Sequence, residues 1–281
     1  MLVKSSNSNQ LKPFLKWVGG KRQLLPEIFA HLPKQYKTYY EPFLGGGALL
    51  FALQPNQAII NDLNADLMTC YQVVRDSPDE LIIELKKHKN QEEHYYEVRS
   101  WDRREDYQGR SLAQRASRTI FLNKTEYNGL FRVNSQGQFN VPRGDYKNPC
   151  FFESENIRAV SSYLKNNQVK LLNLDFEEAL QDAEKGDFIF FDPPYDTMSR
   201  TACFTSYTQN GFNREEQRRL KEFCDQLNRR GCKFLLCNAY TDFIIDLYKD
   251  YNQTKVLARR AVNSNSQKRG KVDKILIKNY L

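Results

Sequence analysis

The stretch from residue 36 to residue 64 constrains the fold more than any other. "YKTYYEPFL" (36–44) reads as a strand running into Gly45-Gly46-Gly47, "ALLFALQ" (48–54) continues as a short helix, and "QAIINDLN" (57–64) supplies a second strand. Strands that alternate with helices imply an α/β sheet with helices on both faces. The alternation returns at "QVKLLNLD" (168–175) and at "DFIFF" (187–191). It closes with a helix at 213–231, a strand at 232–239, a helix from Thr241, and two strands, "QTKVLA" and "KILIKNY". Asn213, with Glu216 three residues on and Gly231 at the stop, frames the first of those helices.

Between the two halves the periodicity changes. Residues 66 to 94 are helical throughout, with Pro78 after Ser77 marking a second helix start. "SLAQRASRTIFLNK" (111–124) places Leu112, Ala116, Ile120 and Phe121 on one helical face. "YNGLFRVNSQGQFNVPRG" (127–144) holds two β-prone runs around Ser135-Gln136-Gly137 and reads as a hairpin. The predicted organisation is a sheet domain from 1–65 and 151–281, interrupted by an inserted domain at 66–150. No internal repeat or low-complexity tract is present.

Composition excludes several classes. The chain has 281 residues, 40% of them hydrophobic, enough for a substantial core. No apolar run reaches the ~18 residues of a membrane span, and "MLVKSSNSNQ" lacks the apolar stretch of a signal peptide. Six cysteines without a C-x-x-C pair, and three histidines, argue against a zinc site or a disulfide framework. They favour a reducing cytoplasm. The net charge of +8 is concentrated at the end: residues 251–281 hold eight Lys or Arg against Asp273 alone. Such a surface is either a solvated face or a phosphate-binding one.

The glycine turn sits where open α/β sheets bind ligands, beyond a strand's carboxyl end. Glycines let the backbone approach a ligand, and the next helix offers free amides. Asp62, at the end of the following strand, is placed to hydrogen-bond a ribose diol. Both a dinucleotide and S-adenosylmethionine would suit. The dinucleotide fingerprint is incomplete, because Leu50 stands where its third glycine belongs and Asp62 follows Gly47 by only 15 residues. An ordinary tight turn is the bland alternative.

A second feature is rarer. The apolar run Phe188 to Phe191 ends in Asp192-Pro193-Pro194-Tyr195, a tetrapeptide expected by accident in roughly one chain of this size in a thousand, with proline near 5% of residues. A rigid turn capping a strand would explain the prolines, but not the acid or the ring. Chemistry explains all four. An exocyclic amine on a nucleobase is a poor nucleophile because its lone pair is delocalised. If Asp192 and the Pro193 carbonyl each accept one N–H, the nitrogen can pyramidalise and aim its lone pair at a sulfonium methyl. Two prolines fix φ and orient those acceptors. Tyr195 can stack on the base, which must first be flipped out of a duplex.

In this order, "FLKWVGGKRQLL", "EPFLGGG", "NDLN", "YNGLFRVNSQGQFNVPRG", "LDF" and "DPPY" resemble the motifs of the Dam family of DNA N6-adenine methyltransferases. The likeness is greatest to the GATC-specific methylases of restriction–modification systems and runs from Phe14 to about Tyr280. It implies a Rossmann-like methyltransferase sheet with an inserted DNA-recognition domain. It also implies S-adenosylmethionine as cofactor, double-stranded DNA as partner, and no metal. A restriction endonuclease could share the system without a stable complex, and the chain would act as a monomer or weak dimer. By resemblance, Trp17, Lys21, Glu41, Phe43, Gly45, Gly47, Asp62, Asp175, Phe176 and Asp192 contact the cofactor. Asp192, Pro193, Pro194 and Tyr195 form the catalytic motif. Lys16, Tyr127, Asn128, Leu130, Arg132, Asn134, Pro142 and Tyr146 match DNA contacts, with Arg132 suited to guanine and an apolar side chain to a thymine methyl. Asp145 departs from the arginine found in some relatives and would be repelled by phosphate.

Other readings compete. Trp17 could be core, sharing a helical face with Lys21; Arg132 could be a surface charge, and Tyr127 could pack under the hairpin. The same chemistry could act on RNA adenine or a glutamine side chain, although the inserted block favours DNA. A DNA-binding protein without catalysis is a further class, against which the intact tetrapeptide and Asp62 speak.

Overall fold

A computed structural model describes residues 11–17, 19–127, 130–196, 212–259 and 271–281. Seven strands form one sheet: β1 (Tyr39–Glu41), β2 (Gln57–Asn61), β3 (Gln168–Leu172), β4 (Phe188–Phe191), β5 (Lys233–Ala239), β6 (Asn252–Arg259) and β7 (Lys271–Lys278), in the order β3-β2-β1-β4-β5-β7-β6. The first five run parallel; β7 lies antiparallel between β5 and β6. The chain leaves β1 for β2 and β3 on one side, then returns to lay β4 on the other. This reversal makes β1/β4 the switch point, where the carboxyl ends of two adjacent strands open a crevice.

Helices follow in chain order: α1 (Leu25–Ala30), α2 (Ala48–Leu53), α3 (Ala65–Asp76), α4 (Pro78–Lys86), α5 (Glu92–Arg99), α6 (Leu112–Thr125), α7 (Ser154–Asn166), α8 (Phe176–Ala179), α9 (Arg214–Arg229) and α10 (Asp242–Leu247). The α/β expectation therefore holds, with apolar layers on both sheet faces. β4 explains its unbroken apolar run: Phe188 and Phe190 enter the layer shared with α2, α3, α4, α6 and α7, while Ile189 and Phe191 enter the layer shared with α9 and α10. Burying each such side chain contributes about 1.5–3 kcal/mol. No helix among the described residues is long and apolar enough to cross a membrane.

The inserted block is built in two tiers. α3, α4 and the first half of α6 share the core of the sheet through Leu67, Tyr71, Leu81, Ala116 and Ile120. A separate small core begins with Tyr95 and Val98 and collects Phe121, Leu122, Phe139 and Val141. The buried Arg118 guanidinium ties the tiers together, donating to the Val98 and Arg99 carbonyls at 3.0 and 2.9 Å and pairing with Asp102 at 2.7 Å.

Four details differ from the sequence expectation. β1 is only three residues long, because Pro42 has no N–H for the ladder and the chain turns away towards Gly45. Among the described residues the 127–144 hairpin is held by isolated antiparallel bridges, Glu126 to Arg143 and Val133 to Phe139, and by the Asn134 side chain rather than by two regular strands. Trp17 and residues 19–21 are not helical: Gly19 has φ 86° and a 3₁₀ turn starts only at Arg22, so Trp17 and Lys21 share no helical face. α7 was not expected at all, although Ile157, Val160 and Leu164 line its buried side.

Candidate active site

The crevice beside β1 and β4 gathers residues from four separate segments. β1 delivers Glu41, the glycine turn follows it, β2 ends at Asp62, and β4 ends at Asp192. Lys21 reaches in from the N-terminal segment. Its ammonium, 3% exposed, donates to the Gly19 carbonyl at 2.7 Å and pairs with Asp192 Oδ2. The other oxygen, Asp192 Oδ1, is buried and has no hydrogen-bond partner. No described residue donates to the Pro193 carbonyl either. Among the described residues the tetrapeptide thus presents two adjacent acceptors without a donor, and an unmet buried acceptor such as Asp192 Oδ1 is costly unless something else meets it.

Glu41 sits behind this pair. Tyr39 donates to its Oε2 at 2.7 Å, and burial pushes the carboxyl up to about 8, with the Asp192 charge adding to the rise. Burial thus favours the neutral form of Glu41, while Asp192 is the acid that faces Lys21. Tyr195 turns its hydroxyl inward to the Cys237 sulfur at 3.0 Å. The Lys21 and Lys274 ammoniums lie 4.9 and 5.0 Å from its ring centre. Burial first, then the Cys237 and Asp192 charges, raise its phenol well above the ordinary value.

The glycine turn is shaped by what crowds it. Gly45 has φ 51°, and a Cβ there would lie 2.8 Å from the Trp17 indole; Gly47 has φ 66°, and a Cβ would lie 2.7 Å from the Tyr71 hydroxyl. Only glycine accommodates both the left-handed backbone and the contacts. Asp62 pins the turn by accepting from the Gly45 amide at 2.9 Å while its other oxygen accepts from the Asn64 amide at 3.0 Å. Burial raises its carboxyl despite these two amides. Trp17 covers the turn and stacks on Phe131 of the inserted block, ring centres 5.4 Å apart.

Asp175 and Phe176 stand across the crevice. Asp175 caps α8 by accepting from the Glu177 amide at 3.0 Å, and Arg219 pairs with it. Phe176 is buried against Phe43, 5.5 Å between ring centres, and the Arg219 guanidinium lies 4.5 Å from its ring. Sequence pattern marked only the two ends of α9, through Asn213, Glu216 and Gly231, and did not single out Arg219.

Comparison with known proteins decides the family. The family model of D12 class N6 adenine-specific DNA methyltransferases matches residues 17–262. The chain is 44% identical to the type II methyltransferase M1.LlaDCHI of Lactococcus lactis subsp. cremoris, over 100% of this chain and 99% of that protein. It is 44% identical to the type II methyltransferase M.MjaIII of Methanocaldococcus jannaschii, over 96% and 100%. It is 34% identical to the DNA adenine methylase of Escherichia coli K12, over 94% of each chain.

The chain belongs to the D12 class of N6 adenine-specific DNA methyltransferases.

As a D12 methyltransferase its substrate is DNA, and the end of α6 collects most of the residues matched to DNA contacts. Lys16 exchanges hydrogen bonds between its backbone and the Asn123 amide, at 2.8 and 2.6 Å, and its ammonium lies 4.6 Å from the Tyr146 ring centre. Tyr127 is 45% exposed, its amide bonded to the Pro142 carbonyl at 3.0 Å. It does not pack under the hairpin. Asn128 lies outside the described residues. Arg132 is exposed, its fork steadied by Asn140 at 2.7 Å, while Leu130 leans on the small core. Asn134 is occupied: its side chain accepts from the Gln136 and Gln138 amides and donates to Gln138 Oε1 at 2.9 Å, closing the turn. Asp145 is exposed beside Tyr146.

Proposed function

We propose that this D12 methyltransferase uses S-adenosylmethionine to methylate adenine N6 within GATC in duplex DNA, as the protecting half of a restriction–modification system. The observation that carries the reading is the unmatched pair of acceptors at the end of β4, Asp192 Oδ1 and the Pro193 carbonyl. An amine with two N–H groups is the ligand whose donors match them.

The crevice fits the methyl donor. Asp62 keeps lone pairs for a ribose diol, the glycine turn lets the backbone approach, and Trp17, Phe43 and Phe176 supply apolar walls. When bound, S-adenosylmethionine would supply an electrophilic sulfonium methyl. Arg219 must share or release Asp175 if that carboxylate is to take the adenine amine of the donor. Residues 66–150 would act as the target-recognition domain and the remainder as the catalytic domain.

Catalysis then consists of holding an extruded base. Asp192 Oδ1 and the Pro193 carbonyl each accept one N6–H, which turns the nitrogen lone pair towards the methyl. As positive charge develops on that nitrogen, the carboxylate stabilises it. Lys21 fixes the carboxylate through the opposite oxygen and keeps it from rotating. In its neutral form Glu41 adds no second negative charge that would compete for Lys21.

The protection part rests on the type II names among the relatives, and the GATC part on the sequence motifs alone. Two type II methyltransferases are among the similar proteins, and Arg132 and Pro142 are exposed on the inserted block. The test is to map methylated adenines in DNA from methylation-deficient cells that express this chain alone. Methylation confined to GATC, with resistance to an endonuclease that cuts that site, supports the reading; another motif overturns the sequence assignment.

A further inference from the structure

The two prolines that orient the acceptors also remove two N–H groups by which the segment could be tied down. The loop 192–196 must therefore be anchored through its carbonyls, through the amides after the prolines, and through side chains. Lys21 holds its first residue and the Cys237 sulfur meets the Tyr195 hydroxyl; three further anchors come from α9, β5 and Thr241. The Gln217 amide donates to the Pro194 carbonyl at 2.8 Å. Asn238 Oδ1 accepts from the Asp196 amide at 3.2 Å, and the Asp196 carboxylate is held by Arg214 at 3.1 Å and Thr241 at 2.9 Å. Gln217 and Asn238 are fully buried and joined to each other, Asn238 Nδ2 donating to Gln217 Oε1 at 3.0 Å.

Both are misplaced by the logic of burial alone. Gln217 stands on the buried stripe of α9 with Leu220, Cys224 and Leu227, and Asn238 follows the buried run of β5. Burying two amides here is worthwhile only if their hydrogen bonds do something apolar side chains cannot. Beyond Lys21 on Asp192 Oδ2 and the Cys237 sulfur at the Tyr195 hydroxyl, the anchors from the described residues fall on Pro194 and Asp196, and none on Pro193. The far half of the loop is fastened while the near half keeps its acceptors open.

We infer that Gln217 and Asn238 are positioning residues for methyl transfer: a buried amide relay from β5 through α9 that fixes the Pro194 carbonyl and so aims Asp192 and the Pro193 carbonyl. The inference rests on the acceptor reading given above. Neither residue touches substrate. The ionisable groups on this relay are Asp196 and Arg214, already paired with each other, and Asp192 lies at its open end.

The test compares Gln217→Leu, Gln217→Glu and Asp192→Ala in the full chain, on duplex DNA, with circular dichroism as the folding control. Gln217→Leu should lower kcat by about 10–100-fold, the scale of a misplaced reacting group, with KM for donor and DNA within about threefold. Gln217→Glu is isosteric. With its carboxyl protonated it can still donate to Pro194 and accept from Asn238; ionised, it sets oxygen against oxygen. Its kcat relative to wild type should therefore rise by about tenfold or more as pH falls from roughly 9 to 6, by the loss and return of one positioning contact, while the ratio for Gln217→Leu stays flat. If Gln217→Leu does not fold, the glutamate variant carries the test alone. A pH-independent ratio for Gln217→Glu, whether near wild type or uniformly reduced, overturns the relay. Asp192→Ala separates the two claims: activity in that variant sinks the acceptor reading, whereas an inactive Asp192→Ala beside an unaffected Gln217→Glu sinks the relay only.

Discussion

Two buried glutamates make this enzyme sensitive to alkali at the level of single residues. Glu41 is pushed up to about 8 and Glu126, wholly buried at the end of α6, to about 9, in each case chiefly by burial. Asn123 donates to Glu126 at 3.3 Å and the Lys16 charge offsets part of the rise, but Glu126 Oε2 has no partner. A raised acid keeps in the fold a proton that the unfolded chain has already lost. Stability is therefore full below the ordinary value of 4.5 and falls as pH rises towards 8 to 9. Glu126→Gln should lose less melting temperature than wild type between about pH 5 and pH 9, each kcal/mol retained reading as roughly 2–4 °C. Parallel melting curves for the two proteins would contradict the assignment. Asp192 was legible in the sequence because an acid, two prolines and a ring after an apolar run have a chemical reason to be together. Its partner Lys21 was reached only through resemblance, since 171 residues separate the two and no local pattern joins them.

Among elements, the legible ones are those with a clean period and a marked end. Asn213 caps α9 as expected, accepting from the Glu215 and Glu216 amides at 2.8 and 3.0 Å, and β4 and β5 fall where apolar runs placed them. α7 was missed because serines and asparagines dilute its apolar spacing. The Gln217–Asn238 relay was missed because it joins two elements through side chains. A signal existed, however: a glutamine standing on an otherwise apolar stripe. The glycine turn is the element where sequence and packing agree most closely. Gly45→Ala would force a residue with a Cβ into φ 51° and against the Trp17 indole at 2.8 Å. A left-handed backbone costs about 1–2 kcal/mol. The amide that Asp62 holds would also shift, so donor affinity should fall by about tenfold or more, or 1.4 kcal/mol. Isothermal titration with the donor checks this, and unchanged affinity would mean that the turn does not line the donor site.

On the scale of the whole molecule, Trp17 connects the two tasks. It covers the glycine turn and stacks on Phe131, so the proposed donor crevice and the inserted block share one aromatic contact. Of the C-terminal cations, Lys255 on β6 is neutralised by Asp273 at 2.7 Å and Lys274 on β7 lies against Tyr195, while Arg260, Lys268 and Arg269 lie outside the described residues. Charge counting could not divide these cations between surface and site; only the strand order does. Recognition is expected to divide in the same way. Arg132→Ala should relax discrimination at one base pair by about 1–3 kcal/mol. Lys16→Ala, as a phosphate contact, should weaken every duplex alike and flatten the salt dependence by about 0.9 in log-log slope. Equal losses on all duplexes for Arg132→Ala would reassign it to the backbone.

The central claim is that Asp192, held by Lys21 through one oxygen, offers the other to the target amine. Single-turnover methyl transfer to a duplex with one GATC site measures it, comparing wild type with a folded Asp192→Ala enzyme. Loss of a charged, positioned acceptor predicts a rate lower by about 10²–10³-fold or more, with duplex binding retained. A rate within a few-fold of wild type would contradict it.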